Sequence, residues 1–476
     1  MKDILQIDDV DVRSVAPADA GLILDQPLWI RVSPHSYCTA LLLGTFFAAF
    51  LFYLGMDLPG VILFSLSWIL IPFFALNDHI SFDGKRLMRT GRVPRIWSWF
   101  NTSRRRLKVI DIEQVETQSV RAVKRGGNII YRYRTIIRGK GLSITIASGG
   151  EDFRRIIQSI LPRLSDNVLD NRSIELRDHL ADPRETLMWA EFSRIPAADV
   201  LESSFKSVGK RGKRLPAIVR STEPMEEEKA DDLQSLANEL RLSGYLYQAL
   251  EAFRRALILR PADARLLFEF ARCLHSFAGT TRDNKLERRA LAALRLSERH
   301  AVNDGELLVR LGEWYFQIGE WGRAGNVFQN AHEKLGENFR TARGLAEIAL
   351  REGKIAHVIH HFSTANRLAE TPSLRRWSRS EAEYFSNLNS DEEYMELEIG
   401  RVNMLETIEG QKKTALRIAF FALPLIAVGV LFEDDFVANI GWAVSSVSLL
   451  IWTGMIVSTH LLGQRIPYDL VESEND

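Results

Sequence analysis

The chain has 476 residues, room for several domains, and its 61 Lys or Arg are matched by 61 Asp or Glu. Only two cysteines, Cys38 and Cys273, are present, which excludes a disulfide framework or a cysteine-rich zinc site. The zero net charge conceals strong local segregation along the chain.

Residues 1–36 are polar and acidic and lack a basic stretch before an apolar core, so they read as an N-terminal cytoplasmic segment and not as a signal peptide. Four apolar stretches follow at 37–54, 58–76, 415–432 and 436–462. Crossing a bilayer core as a helix takes about 20 such residues. Arg417 is the one charge among them and His460 the one histidine, and Arg417 lies near an end where its long side chain can reach water. The stretches pair into two predicted transmembrane hairpins, 37–76 and 414–462. Basic residues flank only the open ends: Lys85, Arg86, Arg89 and Arg92 after the first hairpin, Lys412 and Lys413 before the second, Arg465 after it. The positive-inside rule then places both termini and the middle of the chain in the cytoplasm, at a cell inner membrane.

Residues 77–164 carry 19 basic against 7 acidic side chains, an excess of 12. Asp83-Gly84 signals a tight turn with a strand on each side. Between 128 and 138, Ile129, Tyr131, Tyr133, Thr135 and Ile137 alternate with Arg132, Arg134 and Arg138, the period of a strand. Gly139-Lys140-Gly141 supplies a turn, and Phe153, Ile156, Ile157, Ile160 and Leu164 recur at helical spacing. Strands closed by one helix directly after a two-span hairpin resemble the pleckstrin-homology-like (PH-like) modules of bacterial membrane proteins. Within this module Arg95, Trp97, Trp99, Arg104, Arg105 and Arg106 mix cations with aromatics, which suits them to anionic lipid headgroups. No nucleic-acid recognition motif accompanies the charge, so no nucleic acid is expected as a partner.

Residues 165–229 form a helical connector and linker, interrupted by Pro183 and Pro196, basic at 206–214 and acidic at 223–232. Gly209, Lys210, Gly212 and Lys213 do not have the spacing of a phosphate-binding loop.

From 230 to 372 a period of 34 residues emerges. Leu236, Ala237, Leu240, Gly244, Ala249, Phe253 and Ala256 mark the first unit. Leu308, Leu311, Gly312, Tyr315, Gly319, Ala324, Phe328 and Ala331 mark the third, and Ala342, Ala346, Gly353, Val358, Phe362 and Ala365 the fourth. About seven extra residues interrupt the second unit near Thr280–Lys285. The pattern resembles the tetratricopeptide repeat (TPR) family. That resemblance implies an α-helical solenoid whose first helices line a concave groove for a protein partner. Its groove candidates here are Asn238, Arg241, Arg265, Phe268, Arg272, Glu313, Phe316, Arg340 and Arg343, and the arginines favour an acidic peptide. With so few units, the groove is alternatively filled by the chain itself. Residues 373–413 read as a helical cap running into the second hairpin, and 463–476 as a cytoplasmic tail.

No nucleophile elbow, kinase set or dinucleotide fingerprint appears. His357 and His361 share a helix face without the Glu of a zinc-peptidase motif, and a packing or surface role is expected. The fold class expected is therefore a multidomain membrane protein, with two transmembrane helical hairpins, a β-rich PH-like module and a TPR solenoid. Its expected role is that of a membrane-anchored scaffold without cofactor, metal or catalysis. The alternative is a structural or assembly subunit of a larger membrane complex.

Overall fold

Residue 28 begins an antiparallel sheet whose second strand lies on the far side of two long helices in sequence. In the computed structural model, which describes residues 27–32, 35–91, 106–123, 129–147, 151–202 and 224–468, the chain divides into two units. One comprises Met1–Val32 and Leu76–Leu180, the other Ser33–Ala75 and Ala181–Asp476.

In the first unit, β1 (Leu28–Arg31), β2 (His79–Phe82), β3 (Arg86–Thr90) and β4 (Arg106–Lys108) form a four-stranded antiparallel sheet in sequential order. Ile30 pairs with Ile80, and Leu87 pairs with Phe82 on one side and Leu107 on the other, so apolar residues stack across all four strands. The β2–β3 turn holds Gly84 at φ 84°. The Asp83 carboxylate there accepts hydrogen bonds from the amides of Lys85 at 3.0 Å and Arg86 at 2.6 Å. A second meander follows: β5 (Gln114–Val123), β6 (Ile129–Gly139) and β7 (Leu142–Ala147). On β6, Thr135 and Ile137 are buried while Arg132, Arg134 and Arg138 are exposed or half-buried, the alternation the sequence shows. Helix α3 (Glu151–Ile160) buries Phe153, Ile156, Ile157 and Ile160. Helix α4 (Asn171–His179) is capped by Asp170, whose carboxylate accepts from the Ser173 amide at 2.8 Å. Thr117 joins α4 to the sheet: its hydroxyl lies 2.8 Å from that of Ser173 and 3.2 Å from that of Thr135.

This unit is larger than the 77–164 segment anticipated from sequence. β1 comes from the N-terminal segment, and the apolar hairpin is inserted in sequence between β1 and β2. Strand pairing across such an insertion leaves no local signal.

The second unit contains the apolar helices. Helix α1 (His35–Tyr53) and α2 (Asp57–Asn77) form the first hairpin, and Trp68 donates its indole N–H to the Thr45 hydroxyl at 3.1 Å across it. The unit continues with α5 (Pro183–Phe192), then four helical hairpins. These are α6 (Pro224–Ser243) with α7 (Leu246–Leu259), α8 (Ala264–Thr281) with α9 (Asn284–His300), α10 (Gly305–Gln317) with α11 (Trp321–Leu335), and α12 (Phe339–Arg351) with α13 (Ile355–Leu368). Gly244, Gly319 and Gly353 turn three of the hairpins at φ 92°, 86° and 72°, where a side chain would be strained. In the second hairpin Arg282 takes this left-handed position. The insertion is absorbed by length: α8 and α9 have 18 and 17 residues against 13 and 15 in α10 and α11. The added length is unequal, with more than one helical turn going to α8 and about half a turn to α9.

Helix α14 (Pro372–Ser390) closes the array, with Phe385 stacked on Phe362 at 6.0 Å. Helix α15 (Glu392–Leu431) is then continuous for 40 residues, and α16 (Asp435–Leu462) returns alongside it. Helices α1, α2, α15 and α16 are long and apolar enough to cross a membrane. Phe46, Phe50 and Tyr53 of α1 pack on Trp442 of α16, and the Tyr53 hydroxyl donates to Asn439 at 3.0 Å.

Candidate partner-binding face

The first helix of each hairpin contributes to one face of the array, and neighbouring first helices are tied there by side chains. Between α6 and α8, Gln234 and Asn238 donate to the Glu269 carboxylate at 2.7 and 2.6 Å, and within α6 Arg241 donates to the Asn238 side-chain oxygen Oδ1 at 3.3 Å. Between α8 and α10 the ties are aromatic. The Arg272 guanidinium lies 4.7 Å from the Trp314 ring centroid, and that of Arg310 lies 5.5 Å from Phe268. Phe268 precedes Arg272 by four residues, whereas Arg310 precedes Trp314 by four. The order of cation and aromatic is thus reversed on these two helices, and each level pairs unlike groups. Arg272 also covers Phe268 on its own helix at 5.0 Å. Stacked cations of this kind contribute roughly 0.5–2 kcal/mol each.

Between α10 and α12, Arg340 donates twice to the Glu313 carboxylate, at 2.9 and 2.6 Å. Between α12 and α14, Arg343 lies 5.2 Å from the Trp377 ring while donating to Glu347 at 3.0 Å. Arg265 pairs with Asp304 at 2.8 Å, next to the start of α10. Burial pushes the Asp304 carboxyl upward, but hydrogen bonds from Arg265 and the Leu307 amide outweigh it and hold it below its usual range. Phe316 stands apart from these ties, 5.9 Å from the Arg351 guanidinium, which also covers Trp321.

Apart from Phe316, the anticipated groove residues occupy connected positions on α6, α8, α10 and α12. Asn238, Arg241, Phe268 and Arg272 are buried, and the Arg265 side chain is largely exposed. Gln234, Glu269, Arg310 and Trp314 belong to the same face and were not singled out from sequence. The offset of four between cation and aromatic on two successive first helices is the signal that points to Arg310 and Trp314.

The array is entered through α5. Arg255 of α7 donates to the carbonyls of Ser193 and Arg194 at 3.0 and 3.1 Å, and the Glu251 carboxylate orients it at 2.9 Å. On α13, His357, His360 and His361 cluster, and burial followed by the neighbouring histidines lowers the His361 pKa. Among the described residues no group of three or more His, Cys, Asp or Glu is placed to hold a metal. Of the anticipated lipid-contact residues, Arg106 is exposed on β4, whereas Arg95, Trp97, Trp99, Arg104 and Arg105 lie outside the described residues.

Four successive helical hairpins, three of them turned by glycine, make a TPR-like array. No family model matches the chain, and no curated protein matches it. Among solved structures it is similar to TTC0263, a thermophilic TPR protein of Thermus thermophilus. The identity is 17%, with 44% of this chain and 98% of that one covered and a TM-score of 0.27. It is also similar to the APC/C hetero-tetramer Cut9-Hcn1, at 14% identity, with 67% of this chain and 53% of that one covered and a TM-score of 0.29.

Proposed function

We propose that the chain is a membrane-anchored scaffold that holds a TPR-like array at the cytoplasmic face of a membrane to bind a protein partner. The observation that carries this reading is α15, one helix of 40 residues whose first half adjoins the array and whose end, from residue 418 on, is free of charge. At 1.5 Å per residue it is about 60 Å long, twice the thickness of a bilayer core. The array leads through the single residue Asp391 into a helix long enough to cross a membrane. The arginine-rich first-helix face supports an acidic peptide as the bound element.

The seven-stranded unit with its closing helix supports the PH-like reading, and Arg132, Arg134 and Arg138 on the outer face of β6 suit an anionic surface. In this reading residues 95–106 lie in the headgroup layer.

Purification of the full chain from membranes in mild detergent, with Arg340→Glu and Arg343→Glu as the control, tests the scaffold. The expected result is a stoichiometric protein partner captured by the native chain and lost from the control. Equal capture by both chains removes the groove from the account. Reporters fused to each terminus test orientation, and an extracytoplasmic terminus defeats it. For lipid contact, hydrogen exchange at residues 95–106 is compared in nanodiscs of anionic and zwitterionic lipid. Protection that does not depend on lipid charge rules that contact out.

A further inference from the structure

A buried polar clasp joins α14, α15 and the segment that follows α16. Its centre is the Glu398 carboxylate, with its side chain 2% exposed beside an Arg401 side chain that is 11% exposed. Arg401 donates to Glu398 Oε2 through Nε at 2.9 Å and Nη2 at 2.6 Å, and the Tyr384 hydroxyl donates to the same oxygen at 3.1 Å. The other oxygen accepts from the Ile466 amide at 2.8 Å. Arg401 Nη1 also donates to the Leu462 carbonyl at 2.8 Å, placing a cation at the C-terminus of α16. Tyr394 donates to the Ile466 carbonyl at 2.8 Å. Arg465 closes the outer side, donating to both oxygens of Glu381 at 3.1 and 2.9 Å with its guanidinium 3.9 Å from the Tyr384 ring centroid.

The glycines of α15 and α16 are of two kinds. A Cβ on Gly429 would meet Ala438 N at 2.3 Å, and one on Gly441 would meet Ile426 N at 2.7 Å. Both allow the apolar helices to approach closely. Gly400 and Gly410 have nothing within 4 Å of an added Cβ. No packing requirement explains a residue that weakens the helix there, and glycine pairs are among the recognised sites of helix bending. Gly400 lies between Glu398 and Arg401, and the clasp bridges it from the array side (Glu381, Tyr384) to the end of α16 (Leu462, Ile466).

We propose that Gly400 and Gly410 form a hinge in the stalk which the Glu398–Arg401 clasp holds closed, so that opening the clasp lets the array swing relative to the apolar helix pair. The hinge is built from the chain's own joints and does not depend on what the array binds. Failure of partner capture would therefore leave it standing.

The experiment measures a distance distribution by pulsed electron spin resonance on the full chain in lipid nanodiscs. Labels are placed at Glu333→Cys on the array and Leu431→Cys at the far end of α15, in a Cys38→Ser background. The clasp-intact chain should give one narrow distribution. Glu398→Gln combined with Arg465→Gln should broaden it about twofold, and adding Gly400→Ala and Gly410→Ala should restore most of the narrowness. An unchanged width on opening the clasp overturns the proposal, as does a broad distribution that the two alanines fail to narrow. If the double clasp variant does not fold, Arg465→Gln alone decides the matter. Its outer tie is partly exposed, and the same broadening in smaller degree is expected; no broadening there overturns the hinge.

Discussion

The guanidinium of Arg272 lies 4.7 Å from the ring centroid of Trp314, one helix along the array, and both side chains are buried. The contact joins the second hairpin to the third. If it contributes as stacked, desolvated cations do, a double-mutant cycle on Arg272→Ala and Trp314→Ala should show a coupling of about 1–2 kcal/mol in denaturant unfolding. Trp314→Ala alone should cost about 3–5 kcal/mol, since it also empties core volume. Additive single variants would show that the stacking carries no energy of its own.

Gly312 and Gly344 face the same ring from two helices. A Cβ on Gly312 would lie 2.8 Å from Phe328 Cδ1, and one on Gly344 would lie 2.5 Å from Phe328 Cζ. Alanine in a helix interior ordinarily gains about 1 kcal/mol over glycine. Here overpacking of about 1–3 kcal/mol opposes that gain. Gly344→Ala should lower the thermal midpoint, and Phe328→Leu in the same chain should recover part of the loss. A higher midpoint for Gly344→Ala would mean that the ring moves aside without strain.

Cys273 is a buried thiol whose pKa is pushed up to about 12, chiefly by burial, with Arg241 opposing weakly. It should stay unmodified by iodoacetamide at about pH 8 in the folded chain and react once the array opens in denaturant. Labelling at the same rate under native conditions would show that α8 opens readily.

Glu251 couples the array to pH. Hydrogen bonding from Arg254, and then from Arg255, outweighs desolvation and holds its carboxyl below the usual value. Because the folded value is depressed, this stabilisation is present above the ordinary glutamate pKa of about 4.3 and is lost as pH falls through the folded value. Arg255 grips the Ser193 and Arg194 carbonyls, so α5 should detach first in acid. The hydrogen-exchange protection factors of residues 183–195 should fall below about pH 4.3 in the native chain and stay constant in Glu251→Gln. Equal acid response in both chains would assign the effect to another group.

Much of this architecture is written locally. The apolar stretches carry their own length, the turn glycines Gly244, Gly319 and Gly353 recur in step, and β6 alternates Thr135 and Ile137 with its arginines. Each of these is a one-dimensional pattern set by helix or strand period, and a period survives in sequence whatever surrounds it. The ties between the first helices are not written locally. Only the tertiary structure decided that Leu28–Arg31 completes a sheet with His79–Phe82. It also set Phe268 and Trp314 opposite the cations of each other's helices, paired Tyr53 with Asn439, and brought Ile466 back to Glu398. These contacts join residues tens to hundreds of positions apart. They depend on where packed helices and strands deliver side chains in space, which no periodicity encodes.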